Sequence, residues 1–401
     1  MTVARSWAAS AARGLIGARR RSMIPRMKAW PVAWAREQGW TIAEEARGDA
    51  SVVFLFADAQ IDVGRAIAAL RPMIPRAILF GCSTSGEIHQ GRVVEGTIAG
   101  AVVRFDQTRV RAATAPLVDA GDARGAGRAI GAALAGPELA AVLVLSEGIE
   151  VNGSDLVEGL AEVVGPNVPI SGGLAGDGSR FEATWVLDGD LPRRRAVAAL
   201  GLYGDRLRVR HGSQGGWERF GPERRITRAE GNVLYELDGR PALALYEEYL
   251  GDLAAGLPAT ALLFPLAIRL PEEPASSTVR TILAVDRARQ SMRFAGDIPQ
   301  GAFAQLMTAS LGRLVTGASD AACAASPPDP TSDVLALAIS CIGRRLVMKS
   351  RIEEETEAAL FAMPSGTCQV GFYAYGEFAP AARGGCALQN QTMTITTLTE
   401  V

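Results

Sequence analysis

Ala77-Ile78-Leu79-Phe80-Gly81-Cys82-Ser83-Thr84-Ser85-Gly86-Glu87 carries an apolar run straight into a short polar loop bracketed by two glycines. The run reads as a buried strand of a sheet. Gly81 and Gly86 bound the loop, Ser83, Thr84, Ser85 and Cys82 fill it, and Glu87 closes it. Backbone N–H groups and side-chain donors can therefore converge there on one small ligand. Near the other end of the chain, Cys368-Gln369-Val370-Gly371-Phe372-Tyr373 runs likewise into Ala374-Tyr375-Gly376-Glu377. Two strand ends that each carry a Gly-Glu pair point to a cavity built by strand ends.

Working outward, the first half of the chain repeats itself at a period of about 90 residues. One unit reads as a strand at 51–57, a helix at 62–71, a strand at 77–80, the glycine loop, and strands at 97–105 and 109–114. The second reads as a strand at 141–146, a helix at 154–164, a strand at 168–170, then Ser171-Gly172-Gly173-Leu174-Ala175-Gly176-Asp177-Gly178 and three further strands. The fold expected is mixed α/β in two domains, the first an internal duplication of strand-helix-strand-strand units. A hairpin at 226–239 followed by a helix at 241–250 places the boundary at 240/241. Strands at 261–268, 279–285, 291–294, 334–340, 368–373 and 392–397 fill the second domain.

Composition narrows the function. Of 401 residues 48% are apolar and 21% charged, with a formal charge of −2, so nothing in the electrostatics favours a nucleic-acid partner. Five cysteines form no Cys-x-x-Cys pair, which argues for reduced thiols in a cytoplasmic protein and against structural zinc. No apolar run is long enough to insert in a bilayer. Residues 1–36 hold eight basic side chains and no acid, and read as a basic, disordered leader.

Several motifs can carry chemistry. The glycines at 172, 173, 176 and 178 precede a strand rather than a helix, so no helix N-terminus is there to hold a pyrophosphate. Cys82 as nucleophile with His89 as base would make a Cys-dependent hydrolase, but no third group to orient the imidazole is visible, and a buried, inert cysteine is the commoner fate. Ser340-Cys341-Ile342-Gly343-Arg344 is a third strand end, where Arg344 can grip a carboxylate while Glu87, Asp177 or Glu377 holds an ammonium. The bland alternative pairs Arg344 with a neighbouring acid. His211 falls on the apolar face of Leu207, Val209 and His211, where a neutral imidazole can be a core residue or an axial ligand to haem iron.

Together these segments resemble the FIST family of sensory proteins, with FIST N and FIST C domains. The resemblance rests on 81–87, 172–177, Glu236-Leu237-Asp238-Gly239-Arg240-Pro241-Ala242, 340–344, 371–377 and Gln389-Asn390-Gln391-Thr392. It implies small-molecule sensing coupled to signal transduction, with amino-acid-like ligands. A FIST N-like domain is expected over 37–240 and a FIST C-like domain over 241–401. Ligand-binding candidates are Gly81 to Glu87, Gly172, Gly173, Gly176, Asp177, Cys341, Gly343, Arg344, Tyr373, Tyr375, Gly376, Glu377 and Asn390. The alternative it implies is a nitric-oxide sensor that binds haem b through His211 and regulates a partner histidine kinase, a reading carried by His211-Gly212-Ser213-Gln214-Gly215-Gly216-Trp217. With no output region read after Val401, a non-enzymatic sensor acting through a separate partner protein is expected.

Overall fold

The structure, a computed structural model, describes residues 27–118, 122–273, 277–380 and 385–401. Runs such as Val52-Val53-Phe54-Leu55-Phe56 are buried on both faces because sheet and helices sandwich them. The helices begin where short polar side chains cap them. Asp62 accepts from Arg65 N, Asn152 from Ser154 N and Asp155 N, and Ser310 from Arg313 N.

The chain winds through the same six-strand motif three times. The first unit has β1 (Lys28–Ala35), β2 (Val52–Asp58), α1 (Val63–Leu70), β3 (Ile78–Thr84), the hairpin β4 (Glu87–His89) and β5 (Arg92–Val94), and β6 (Ile98–Arg104). The second has β7 (Arg109–Pro116), α2 (Ala123–Leu134), β8 (Leu139–Ser146), α3 (Gly153–Val164), β9 (Ile170–Leu174), the hairpin β10 (Val186–Asp188) and β11 (Leu191–Arg193), and β12 (Ala196–Tyr203). The third opens with β13 (Leu207–Gln214). An inserted layer follows, an eight-stranded sheet covered by α4 (Ala242–Leu250). The unit then resumes with α5 (Leu311–Ala325), β14 (Leu335–Cys341), α6 (Ile342–Met348), α7 (Glu353–Phe361), β15 (Cys368–Ala374), the hairpin β16 (Gly376–Pro380) and β17 (Cys386–Gln389), and β18 (Met393–Glu400).

Each unit builds one sheet in the same order: third, second, sixth and first strand, with the second and third parallel. The hairpins are exchanged in a ring. That of the first unit pairs with β15 in the third sheet, that of the second with β3 in the first, and that of the third with β9 in the second. The three sheets are thereby stitched together by backbone ladders. Their inward faces share one core, where Phe54, Phe56, Leu143, Leu145, Leu337, Ile339 and Phe372 pack, Phe56 stacking on Phe372 at 4.8 Å between ring centres.

The mixed α/β class and two-domain organisation expected from the sequence hold. The duplication is one part of a triplication, hidden because 218–308 separates the first strand of the third unit from its second. The expected leader is too long: Lys28–Ala35 pairs along its length with β6, Trp30 lying against Val102 and Val32 against Gly100. Residues 1–26 lie outside the described residues. The boundary at 240/241 cuts the inserted layer, since Glu218–Glu230 pairs both with Val233–Leu237 and with Phe303–Thr308. The two halves are divided in sequence and interleaved in space. Among the described residues no helix is long and apolar enough to cross a membrane.

Candidate functional site

The glycines that announced the loops owe their identity first to packing. A Cβ on Gly81 would lie 1.8 Å from the Leu55 carbonyl oxygen, on Gly172 1.8 Å from that of Val144, and on Gly371 1.7 Å from that of Ala338. Each sits at the same place in its unit, where the third strand presses against the second. Only glycine allows that approach.

Beyond these pinch points the loops do gather at one end of the body. Ser85 N donates to Tyr373 O and Tyr373 N to Gly86 O, both at 2.8 Å; Gly176 N donates to Ser83 O at 3.0 Å and Tyr375 N to Leu174 O at 3.2 Å. Ser85 Oγ accepts from Gly178 N at 3.0 Å, and Ser83 Oγ from Trp185 N at 3.1 Å. The donors that were expected to cradle a ligand are thus committed to the neighbouring loops, and the seam is closed by the loops themselves. Asp177 belongs to it. Its carboxylate accepts from Phe181, Glu182 and Ala183 N at 2.9 Å each and from the Tyr375 hydroxyl. Burial raises its pKa, but these donors outweigh burial and hold the carboxyl below its usual range.

Arg344 is likewise spoken for. With no exposed surface, it donates to Glu355 Oε2 through Nε (2.9 Å) and a terminal nitrogen (2.6 Å), to Leu314 O (2.8 Å) and to Gly215 O. Ser340 Oγ and Tyr373 Oη complete the shell of Glu355 at 3.0 and 2.9 Å. A guanidinium so engaged ties α6 to α7, α5 and the end of β13, with β14 and β15 joined through Glu355, and has no fork left for a ligand carboxylate.

Glu87 and Glu377 behave differently. They occupy one place in the repeat, each opposite the residue that follows a pinched glycine: Glu87 faces Phe372 and Glu377 faces Gly173. Val186 holds that place in the second unit, opposite Cys82. Thr97 and Thr392, each one residue before the sixth strand, donate to these acids at 3.0 and 2.7 Å. Burial pushes both carboxyls up to about 8, against the pull of their threonine donors. Burial also raises the thiol of Cys341, beside Glu377.

A cavity of about 450 Å³ opens between the body and the inserted layer. Ser213, Gln214 and Trp217 wall it from the end of β13, Thr278 and Met307 from the inserted sheet, and Ala379, Ala387, Gln389 and Thr392 from the third unit. Register places Glu377 opposite Gln389 and Ala379 opposite Ala387, so these four side chains share one face of the β16–β17 hairpin. Glu377 itself has no exposed surface and lies behind the wall, touching it through its partner Thr392, which lines the cavity. None of the ligand-binding candidates read from the sequence lines the cavity: Glu377, Asn390, Cys341, Gly343 and Gly376 lie buried outside it. Gly81 to Gly86, Gly172, Gly173, Gly176, Asp177 and Tyr375 go to the closed seam; Glu87 lies in a packed environment of its own; Arg344 and Tyr373 form part of the buried network. Sequence reasoning did not assign Ser213, Gln214, Trp217, Met307, Gln389 or Thr392 to the site, although 211–217 and 389–392 carried the signal.

The family model for the FIST N domain matches residues 51–240, and that for the FIST C domain residues 242–380. The chain belongs to the FIST family. FIST domains are associated with small-molecule sensing in signal transduction. A curated relative, an uncharacterized protein of Methanocaldococcus jannaschii, is 35% identical over 86 residues, which is 21% of this chain and 16% of that protein. Among solved structures, a chorismatase aligns at TM-score 0.36 and 8% identity, covering 94% of this chain and 99% of its own. A cyanuric acid hydrolase from A. caulinodans aligns at TM-score 0.34 and 10% identity, covering 93% and 99%.

The haem and the Cys-dependent hydrolase alternatives can be placed against this geometry. His89 and His211 lie on the second and last strands of one sheet, four places apart, about 19 Å at the usual strand spacing. They cannot ligate one iron together. His211 is half-buried on β13 opposite Thr396, and the cavity begins two residues later at Ser213 without reaching the imidazole. Cys82 is fully buried in the inner core and burial raises its thiol pKa well above normal, so it is no ready nucleophile.

Proposed function

We propose that this FIST protein is a small-molecule sensor whose ligand occupies the cavity between the three-unit body and the inserted layer. The observation that carries this reading is the origin of the walls. Ser213 to Trp217 and the β16–β17 hairpin belong to the body, whereas Ser277 to Val279 and Met307 belong to the inserted sheet. A molecule held between them contacts both at once and favours whichever relative position makes those contacts best, and such differential affinity is what shifts a conformational equilibrium. The room suits a polar molecule of amino-acid size, and the role is binding rather than turnover. Onward signalling falls to a separate partner protein, as the family's association with signal transduction suggests.

Titration calorimetry against a panel of amino acids and small organic acids, followed by hydrogen exchange, tests this. Binding should slow exchange in 213–217, 277–279 and 387–392 together. Protection confined to the seam around 81–87 would place the ligand elsewhere.

A further inference from the structure

The inserted layer joins the body along one line. The chain enters the layer after Trp217 and leaves it after Thr308, and Glu218 lies opposite Thr308 in the ladder, so the two crossings run side by side. The layer also has an apolar core of its own. Ile226, Leu234, Tyr246, Met292, Phe294 and Leu306 pack among residues of 226–306, and no described residue of the body belongs to that cluster. Two bodies with separate cores, joined along one side, are built for relative motion unless something fixes them.

Away from the crossings two sheet edges meet. The strand Thr278–Arg280 is the edge of the inserted sheet and β17 the edge of the second sheet, and no backbone ladder joins them. Arg280 spans the gap. Its Nε donates to Asp297 O within the layer at 3.2 Å, and a terminal nitrogen donates across it to Leu388 O at 3.1 Å. Gly296 makes the room, since a Cβ there would lie 2.9 Å from Arg280 Nε and 3.2 Å from Leu388 Cδ2. Two longer bonds also cross, Asn152 Nδ2 to Asp297 Oδ1 at 3.4 Å and Gln391 Nε2 to Leu262 O at 3.3 Å. The arginine bridge stands directly behind the cavity. Thr278 and Val279 precede Arg280, Ala387 and Gln389 flank Leu388, and all four line the cavity from its two sides. We infer that Arg280 is the latch of the cavity, a positioning residue that holds the inserted layer against β17 and so sets the separation of the two walls. A guanidinium keeps its charge at every working pH, and its bond to a carbonyl is lost once the edges part by about 1 Å, which makes the contact two-state rather than graded. Resting on the sensing reading, the latch gives that reading its moving part: a ligand between the walls works with or against this bond.

Hydrogen exchange on the full chain, without ligand, compares the unaltered protein with Arg280→Met. Exchange in 278–280 and 386–389 should quicken about fivefold or more, while 233–237 in the core of the layer and 52–58 in the body keep their rates. Should Arg280→Met not fold, Gly296→Ala presses on the guanidinium and on Leu388 with the arginine in place, and should give the same local pattern. Unchanged exchange at both edges would overturn the latch. Faster exchange throughout 218–308 would overturn it too, making Arg280 a support of the layer's own fold rather than of its position. Either result leaves the cavity's sensing role standing, which is read separately from ligand-induced protection of 213–217, 277–279 and 387–392.

Discussion

Thr392 donates its hydroxyl to Glu377 at 2.7 Å, and the same bond recurs one repeat away between Thr97 and Glu87 at 3.0 Å. The duplicated bond marks two positions where the fold buries a carboxyl and meets it with a threonine. Only the one in the third unit stands beside a cavity wall. Thr392→Val should therefore cost about 1–3 kcal/mol by stranding a buried acceptor. It should also raise the titration of Glu377 further, since the hydroxyl favours the ionised form. Urea unfolding and carboxyl infrared bands check the two effects.

Glu377 and Glu87 make stability depend on pH in a defined direction. Both are pushed up to about 8 in the folded chain from an ordinary 4.5. Glu377 faces Cys341 and Arg344, whose charge Glu355 balances; Glu87 faces Asp58, Thr84, Thr97 and Arg345. Between about 4.5 and about 8 the folded chain holds protons that the unfolded chain has released, so stability falls as pH rises through that window and levels off above it. Each group contributes at most about 1.4 kcal/mol per pH unit. The Glu87→Gln, Glu377→Gln double variant should flatten the slope measured by urea unfolding from pH 5 to 9; an unaltered slope would remove both groups from the account.

The pinched glycines give a stability prediction with an internal control. Gly81→Ala, Gly172→Ala and Gly371→Ala each drive a methyl into a backbone carbonyl that the parallel ladder holds in place. Each should destabilise by more than about 3 kcal/mol or prevent folding. Gly312, in α5, where an added methyl would meet nothing within 4 Å, should accept alanine within about 0.5 kcal/mol or gain from it. Chemical denaturation of the four variants decides the matter.

Arg344→Met should cost about 3–5 kcal/mol by leaving Glu355 charged and buried. Replacing Glu355 by leucine in the same chain should restore part of the loss, because the uncompensated charge is then gone. A double variant no more stable than Arg344→Met would mean that the arginine acts through packing alone.

Legibility in the sequence followed the range of the forces involved. The strands around 52–58, 78–84 and 139–146 were readable because continuous apolar runs between glycines have few other places to go. The helix starts at Asp62 and Asn152 obey local capping. The exchange of hairpins between sheets was not readable, since Glu87 meets Phe372 from far away in the sequence and nothing local specifies that pairing. The third repeat was masked by the insertion, and β1 by an arginine-rich surround that suggested a leader although Trp30-Pro31-Val32 is a strand. Glycines were noticed for ligand binding and turned out to mark backbone contact. Glu377 and Asn390 were picked as site residues at the sequence level. They lie buried behind the cavity wall, while their neighbours Gln389 and Thr392, which do line it, were quoted as motif but not assigned, because only the folded hairpin places them there.

The claim on which the rest depends is that a small molecule sits between the body and the inserted layer. Ala387→Trp fills that cavity from the β17 wall, away from Glu377 and from the seam. Calorimetry with a compound that binds the unaltered chain should show binding lost in Ala387→Trp while its Tm and circular dichroism are kept. Undiminished affinity in the filled variant would show that the ligand lies somewhere else.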